Sequence, residues 1–153
     1  VVASGAMWNA KSDVRNDLFL IECKTTGKDY YVVTSKVWEK ICREAVRDHF
    51  REPLLVIDLK DSDKERYVVF PSYLLYYIET PKWLRGNIYH YTGDAKSFQF
   101  KGNRKHCITL VDFKGSKRKF NYVAIMKMKD FQRLMQEEHL EEVMRSQMTG
   151  GNE

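Results

Sequence analysis

Two carboxylates and a lysine near the start of the chain, Asp13, Glu22 and Lys24, have the types and spacing of a small metal site. Side chains alternate between the faces of a strand, so Glu22 and Lys24 are expected on one face, roughly 6 to 7 Å apart. The turn-like residues at 15–17 can bring Asp13 back toward Glu22. Converging carboxylates repel each other unless a cation lies between them, and Mg²⁺ is usually held by one or two carboxylates, waters and phosphate oxygens. The pattern therefore predicts a Mg²⁺ site beside a lysine.

Two strands are expected to carry this site. Leu18–Ile21 is a continuous apolar run between polar residues, which predicts a strand buried on both faces. Tyr30–Val33 follows a turn at 27–29 and is expected to pair with the first strand as a hairpin. Cys23 should point to the face opposite Glu22 and Lys24, as a small core residue.

A helix is expected from Thr34 or Ser35, either of which can cap it, to about Phe50. Charged residues on its far side, Glu44 among them, are expected to face solvent. After Pro53 the apolar run Leu54–Leu59 predicts a second buried strand. The strand, helix and strand form a crossover, so the two buried strands should be parallel and adjacent. The predicted apolar face of the helix is Val37, Trp38, Ile41, Cys42 and Ala45.

The second half of the sequence predicts mostly shorter strands and helices. They are a strand Arg66–Phe70, a short helix from Pro71 or Ser72 to Ile78, an irregular stretch Thr80–Lys96, strands Ser97–Phe100, Ile108–Phe113 and Phe120–Met126, and one long helix from about Lys129 past Met144. The predicted class is α/β with a mixed α+β sheet. Residues 1–79 would form the core and 80–148 an extension of the sheet, with a disordered tail at 149–153. For 80–148 a degenerate repeat of the strand-hairpin-helix unit, a dimerisation element and a DNA-clamping element are open interpretations.

Composition and charge narrow the classes of partner and the cellular compartment that fit this chain. The formal charge of +5 and the 153-residue length suit a globular domain that meets a phosphate-bearing partner. Basic residues are dense at 101–106 and 114–119, where a solvated loop and a contact to a nucleic-acid backbone are both open interpretations. The three cysteines lack metal-ligand spacing and fit a reducing compartment. Without a long apolar run or a signal-peptide pattern, a cytoplasmic protein that does not enter the membrane is expected.

A family resemblance rests on several motifs in order. They are Ser4-Gly5-Ala6, then Lys11-Ser12-Asp13-Val14, then Ile21-Glu22-Cys23-Lys24-Thr25-Thr26, followed by the amphipathic helix and the apolar strand. The set resembles the phage and archaeal Holliday junction resolvase branch of the PD-(D/E)xK nuclease superfamily, over roughly the first 60 residues. Ser12 stands where the family has proline. Many relatives also have an acidic residue on a helix upstream, and because the chain begins at Val1 we expect a native N-terminal segment to be missing.

The resemblance implies a restriction-endonuclease-like core and a metal-dependent DNA endonuclease, with branched DNA such as a Holliday junction as substrate. Asp13 and Glu22, helped by the main-chain carbonyl of Cys23, would hold one or two Mg²⁺ or Mn²⁺ ions, and Lys24 would act in catalysis. A bacterial or archaeal host cell, a phage gene and a homodimer with two sites also fit the resemblance. The residues expected to contact DNA are Ser4, Lys11, Ser12, Thr25, Thr26 and Lys28.

Two other interpretations compete with the nuclease. The chain can be a DNA-binding or assembly module that keeps the nuclease fold but does not cleave. Alternatively, Glu22 and Lys24 are an ordinary salt bridge in an α/β domain.

The tyrosines at 73, 76 and 77 have near-helical spacing, which favours packing on a sheet over stacking on bases.

Overall fold

A seven-stranded mixed sheet runs through the part of the chain that the computed structural model describes, in the order β1-β2-β4-β5-β9-β8-β6. A separate pair, β3 and β7, lies outside this sheet. The strands are β1 Val14–Arg15, β2 Phe19–Thr25, β3 Tyr30–Thr34, β4 Glu52–Asp58, β5 Arg66–Pro71, β6 Ile88–Ala95, β7 Ser97–Lys101, β8 Ile108–Phe113 and β9 Tyr122–Lys127. The structure describes residues 14–15, 18–48, 51–60, 65–102, 106–113 and 122–150, with the backbone alone at 14–15, 92–95 and 148–150.

The helices are α1 Ser35–Arg47, α2 Met128–Glu137 and α3 Leu140–Gly150, with a 3₁₀ helix at Ser72–Tyr77. Thr34 caps α1 as predicted, and its Oγ1 accepts a hydrogen bond from the Val37 amide at 3.1 Å. Trp38, Ile41, Cys42 and Ala45 are buried as expected, but Val37 is 36% exposed because it lies at the margin of the apolar face. No helix in the described chain is long and apolar enough to cross a membrane.

The crossover predicted from the sequence is present. β2 and β4 pair in parallel, with Glu22 opposite Leu55 and Lys24 opposite Ile57. Leu54 and Leu55 are fully buried, which matches a central strand covered on both faces. The mixed sheet with helices on its faces confirms the coarse α+β class.

Two hydrophobic cores lie on opposite faces of the large sheet. One contains Phe19 and Ile21 and is covered by α2, α3 and the 3₁₀ helix. The other contains Leu55 and Val69 and is covered by α1, β3 and β7. β2 is therefore buried on one face through Phe19 and Ile21, while Leu20 on the other face is only half-buried, which corrects the expectation of a strand buried on both faces.

The predicted hairpin of β2 with β3 is wrong. β3 pairs with β7, with Tyr31 opposite Phe100. β2 has β4 along one edge and β1 beside Leu20 and Ile21 on the other, and β3 lies in a separate two-stranded sheet. Val33 of β3 is instead fully buried in the core that α1 covers.

Three further expectations for the second half are corrected. Ile88–Ala95 is a strand rather than part of an irregular stretch, and it pairs in parallel with β8 at the edge of the sheet. The single long C-terminal helix is two helices, because His139 between them has a φ of 54° and ends the helical path. The backbone of 148–150 is helical, where a disordered tail was expected from 149, and residues 151–153 lie outside the described residues.

Candidate active site

β2 places Glu22 and Lys24 on the face toward α1, as their spacing predicts. The Lys24 Nζ lies 3.1 Å from the Glu22 Oε1, an ion pair. The Glu22 side chain is 24% exposed and the Lys24 side chain 43% exposed. Both groups are therefore reachable from solvent, although an ordinary salt bridge at the edge of a core has the same geometry.

Cys23 lies on the other face of β2. It is half-buried and packs against the core that contains Phe19 and Ile21. Its side chain therefore does not share the surface of Glu22 and Lys24, and only its main chain is available to the site.

A cleft of about 460 Å³ opens between β2 and the second half of α1. Glu22 forms part of its wall, and Glu44 and Asp48 of the α1 region also line it. Glu44 is exposed, as the sequence predicts, and in addition it lines this cleft. Glu44 and Asp48 follow the buried Ile41 by three and seven positions, so helical periodicity could have placed them on this side of α1.

The acidic groups of the cleft have basic neighbours. Asp48 Oδ2 accepts from Arg51 Nη1 at 2.5 Å, and both side chains are about four-fifths buried. Glu44 Oε1 lies 3.9 Å from Lys40 Nζ, and both of these side chains are exposed. Together with the Glu22 and Lys24 pair, these contacts give each acidic side chain of the cleft lining a basic partner.

Tyr31 is a neighbour of the Glu22 and Lys24 pair that the sequence did not reveal. Burial raises its pKa, the Lys24 ammonium acts in the opposite direction, and the Glu22 carboxylate adds to the rise. Its ring lies 6.2 Å from that of Phe100 across the β3–β7 pair. Because β3 joins β7 rather than β2, no local pattern could have predicted this proximity.

The residues expected to bind DNA are only partly gathered here. Thr25 follows Lys24 on β2, so its side chain points to the opposite face. Thr26 Oγ1 accepts from the Lys28 amide at 3.2 Å, and the Lys28 Nζ lies 5.2 Å from the centre of the Tyr30 ring. Thr26 and Lys28 therefore form a local turn beyond the end of β2.

The remaining predicted site residues, Ser4, Lys11, Ser12 and Asp13, lie outside the described residues. The next residue, Val14, opens β1 and pairs with Ile21, the residue before Glu22. Arg15 pairs with Leu20 in the same antiparallel register.

The donor chemistry of this region suits a hard cation. The Glu22 carboxylate and main-chain carbonyls are oxygen ligands, the type that Mg²⁺ takes. Among the residues that the structure describes, no three His, Cys, Asp or Glu side chains lie close enough to hold a metal. The carboxylate that the described residues would supply to such a site is that of Glu22. Mg²⁺ is commonly held by one or two carboxylates.

No family model, curated protein or solved structure matches the chain.

Proposed function

We propose that this chain is a divalent-metal-dependent endonuclease that hydrolyses phosphodiester bonds of DNA, branched DNA such as four-way junctions in particular. The observation that carries the proposal is the pairing of a carboxylate and an ammonium group, Glu22 and Lys24, on one solvent-reachable face of β2. Both line or adjoin an open cleft rather than a closed core.

The strand arrangement supports the same proposal. β2 lies between an antiparallel strand that begins one residue after Asp13 and a parallel strand reached through α1. We infer from this strand order a restriction-endonuclease-like core, with Asp13 proposed as the second carboxylate of the site.

Asp13, Glu22 and the Cys23 carbonyl would hold the Mg²⁺ or Mn²⁺. When bound, such an ion lowers the pKa of a water and stabilises negative charge on the phosphoryl group. The chain itself contributes Lys24, whose three N–H donors can hydrogen-bond a phosphate oxygen or the attacking water. In the absence of substrate the Glu22 carboxylate lies 3.1 Å from this ammonium group. The ion pair therefore keeps the ammonium beside a proposed metal ligand.

The cleavage test uses labelled four-way junction, nicked duplex and plain duplex DNA with Mg²⁺, Mn²⁺ or Ca²⁺. Cleavage is expected with Mg²⁺ and Mn²⁺ but not with Ca²⁺, and fastest on the junction. Glu22→Gln should reduce the single-turnover rate at least about a hundredfold, because a metal site contributes several kcal/mol to the transition state. Glu44→Gln is the matched control, since it removes a carboxylate from the same cleft and should cleave at the parental rate.

A module that binds DNA without cleaving it is the second candidate. It is favoured by the Lys24 ammonium, which already neutralises the Glu22 carboxylate. Stable junction binding with no cleavage under any of the three ions would establish this candidate and remove the nuclease. Equal cleavage by the Glu22→Gln and Glu44→Gln variants would remove Glu22 from the site.

A further inference from the structure

We propose that the exposed ring stack of Tyr89 and His106 is a platform on which an unpaired base of DNA stacks, at the far edge of the sheet from Glu22. The choice of DNA as the partner rests on the proposed function, whereas the binding itself does not require cleavage. The platform would direct the protein to DNA with unpaired nucleotides, such as flaps and open branch points.

The two rings form an ordered pair at the surface. Their centroids are 5.3 Å apart and their planes differ by 13°. Tyr89 is 41% exposed, and His106 is exposed as well. A tyrosine in such a stack presents a flat apolar surface to solvent, the surface on which nucleic-acid bases stack in single-strand binding proteins.

Regular structure holds the Tyr89 half of the platform. Tyr89 lies on β6 and pairs with Thr109 of β8, which is fully buried. Two residues further on β6, Tyr91 packs edge-on against Phe98 of β7 with ring centroids 4.8 Å apart. These contacts fix the face of β6 from which Tyr89 projects, so little conformational entropy is lost when a base binds.

The strand register relates this platform to Glu22. Paired residues connect the two across six of the seven strands, and paired residues share a face. The row is Glu22, Leu55, Val69, Ile125, Thr109 and Tyr89.

The middle of this row is buried while both ends are open. Its four central residues are at most 1% exposed, and three of them belong to the core that α1, β3 and β7 cover. Five strand spacings separate the ends, which is roughly 24 Å at about 4.8 Å per spacing. Glu22 and Tyr89 therefore emerge on opposite sides of one covering layer, too far apart to contact the same nucleotide.

The positive charge of the chain is concentrated in the sequence segment that contains Tyr89 and His106. Residues 82–106 contain six Lys and Arg residues and one acidic residue, a formal charge of +5. The chain has 26 basic and 21 acidic residues in total, so the remainder holds 20 of each and is neutral. Lys82, Arg85 and Lys101 of this segment are exposed. A polyanion with unstacked bases fits both features, because its phosphates can contact the basic residues and its bases can stack on the aromatic rings.

Unpaired DNA suits the platform better than duplex DNA. In a duplex the faces of the bases are already stacked on their neighbours, so only phosphates and groove edges are open to the protein. An exposed ring contributes about 5- to 150-fold in affinity per stacked base, from the usual 1 to 3 kcal/mol.

Fluorescence anisotropy tests the platform with a labelled oligothymidylate in EDTA, where no metal-dependent cleavage occurs. Tyr89→Ala should weaken binding about 5- to 150-fold, while Tyr89→Phe, which keeps the ring, should bind within about twofold of the parent. The matched control is Tyr76→Ala. Tyr76 is 85% exposed, and its 3₁₀ helix packs on the other face of the sheet. Its loss should leave affinity unchanged.

Two further measurements separate stacking from charge. An abasic oligonucleotide of the same length keeps the phosphates, so it should bind the parent more weakly and be insensitive to Tyr89→Ala. The slope of log affinity against log salt should be the same for the parent and Tyr89→Ala, because no cation is removed.

Binding by Tyr89→Ala within twofold of the parent, or an equal loss in Tyr76→Ala, would overturn the platform. These outcomes are distinct from failure of the nuclease. If the protein cleaves junctions but Tyr89→Ala leaves single-strand binding unchanged, the platform proposal is wrong and the nuclease proposal stands. If single-strand binding depends on Tyr89 but no cleavage occurs in Mg²⁺, the nuclease proposal is wrong and the platform proposal stands.

Discussion

Replacing Lys24 by methionine separates a catalytic lysine from a structural one. Methionine keeps much of the apolar stem and removes the ammonium that lies 3.1 Å from Glu22. At 3.1 Å the attraction between unit charges is about 1.3 kcal/mol in water. Since the lysine is 43% exposed, desolvation and side-chain entropy reduce the net contribution to about 0 to 1 kcal/mol. For a chain of 153 residues this corresponds to a melting temperature lower by at most about 4 °C.

The effect on cleavage should be far larger than the effect on stability. A preorganised electrostatic donor typically contributes about 10²- to 10³-fold to the rate. We therefore expect Lys24→Met to retain its fold and its DNA affinity while the single-turnover rate falls by about that factor.

The assay pairs thermal unfolding with single-turnover cleavage at saturating junction DNA. Lys40→Met is the matched control, because it also removes an ammonium from an exposed ion pair beside the cleft, that of Lys40 with Glu44 at 3.9 Å. The control should melt and cleave like the parent. The reasoning is refuted if Lys24→Met cleaves as fast as Lys40→Met, or if it melts more than about 10 °C lower, since the latter would make Lys24 a structural residue.

Two further predictions concern stability. The Tyr73 hydroxyl donates to the Glu52 carboxylate, and burial, followed by Glu52, raises the pKa of Tyr73 above its usual value of 10.0. The native state then keeps a proton that the unfolded chain loses above about pH 10, so stability is complete below that pH and falls above it by up to about 1.4 kcal/mol per pH unit for this group. Tyr73→Phe should flatten this alkaline fall in urea titrations from pH 9 to 11 while lowering stability at pH 7 by about 1 to 3 kcal/mol; an unchanged alkaline slope would contradict it. The buried Thr109 hydroxyl has no hydrogen-bond partner among the residues that the structure describes, so Thr109→Val should raise the midpoint of thermal unfolding. A lower midpoint would show that the hydroxyl is satisfied in solution.

Local patterns in the sequence were sufficient for several elements. The cap at Thr34, the helix after it and the buried strand at 52–58 follow from capping chemistry and apolar periodicity, which act within a few residues. The shared face of Glu22 and Lys24 follows from strand alternation alone. These are interactions whose partners lie close together along the chain, so composition and spacing encode them directly.

Other features depended on partners far away in the chain. β3 joined β7, whose residues lie more than 60 positions later, and this arrangement buries Val33 in the core that α1 covers. β6 carries Gly93 and Asp94, which look like loop residues, and its strand form depends on the parallel contact with β8. Glu44 is exposed, as its place on the polar side of the helix predicts, but it also lines a cleft because β2 lies opposite α1.

The sequence alone determined which side chains could do chemistry and that Glu22 and Lys24 would emerge together. Only the tertiary structure decided what surrounds them: a cleft with acidic side chains from α1, Tyr31 from a different sheet, and a row of paired residues that ends at Tyr89. The physical reason is that helix and strand periodicities are local, whereas strand order and register are chosen by burying apolar faces across the whole chain. A single pairing change would move every residue of a strand to a new neighbour.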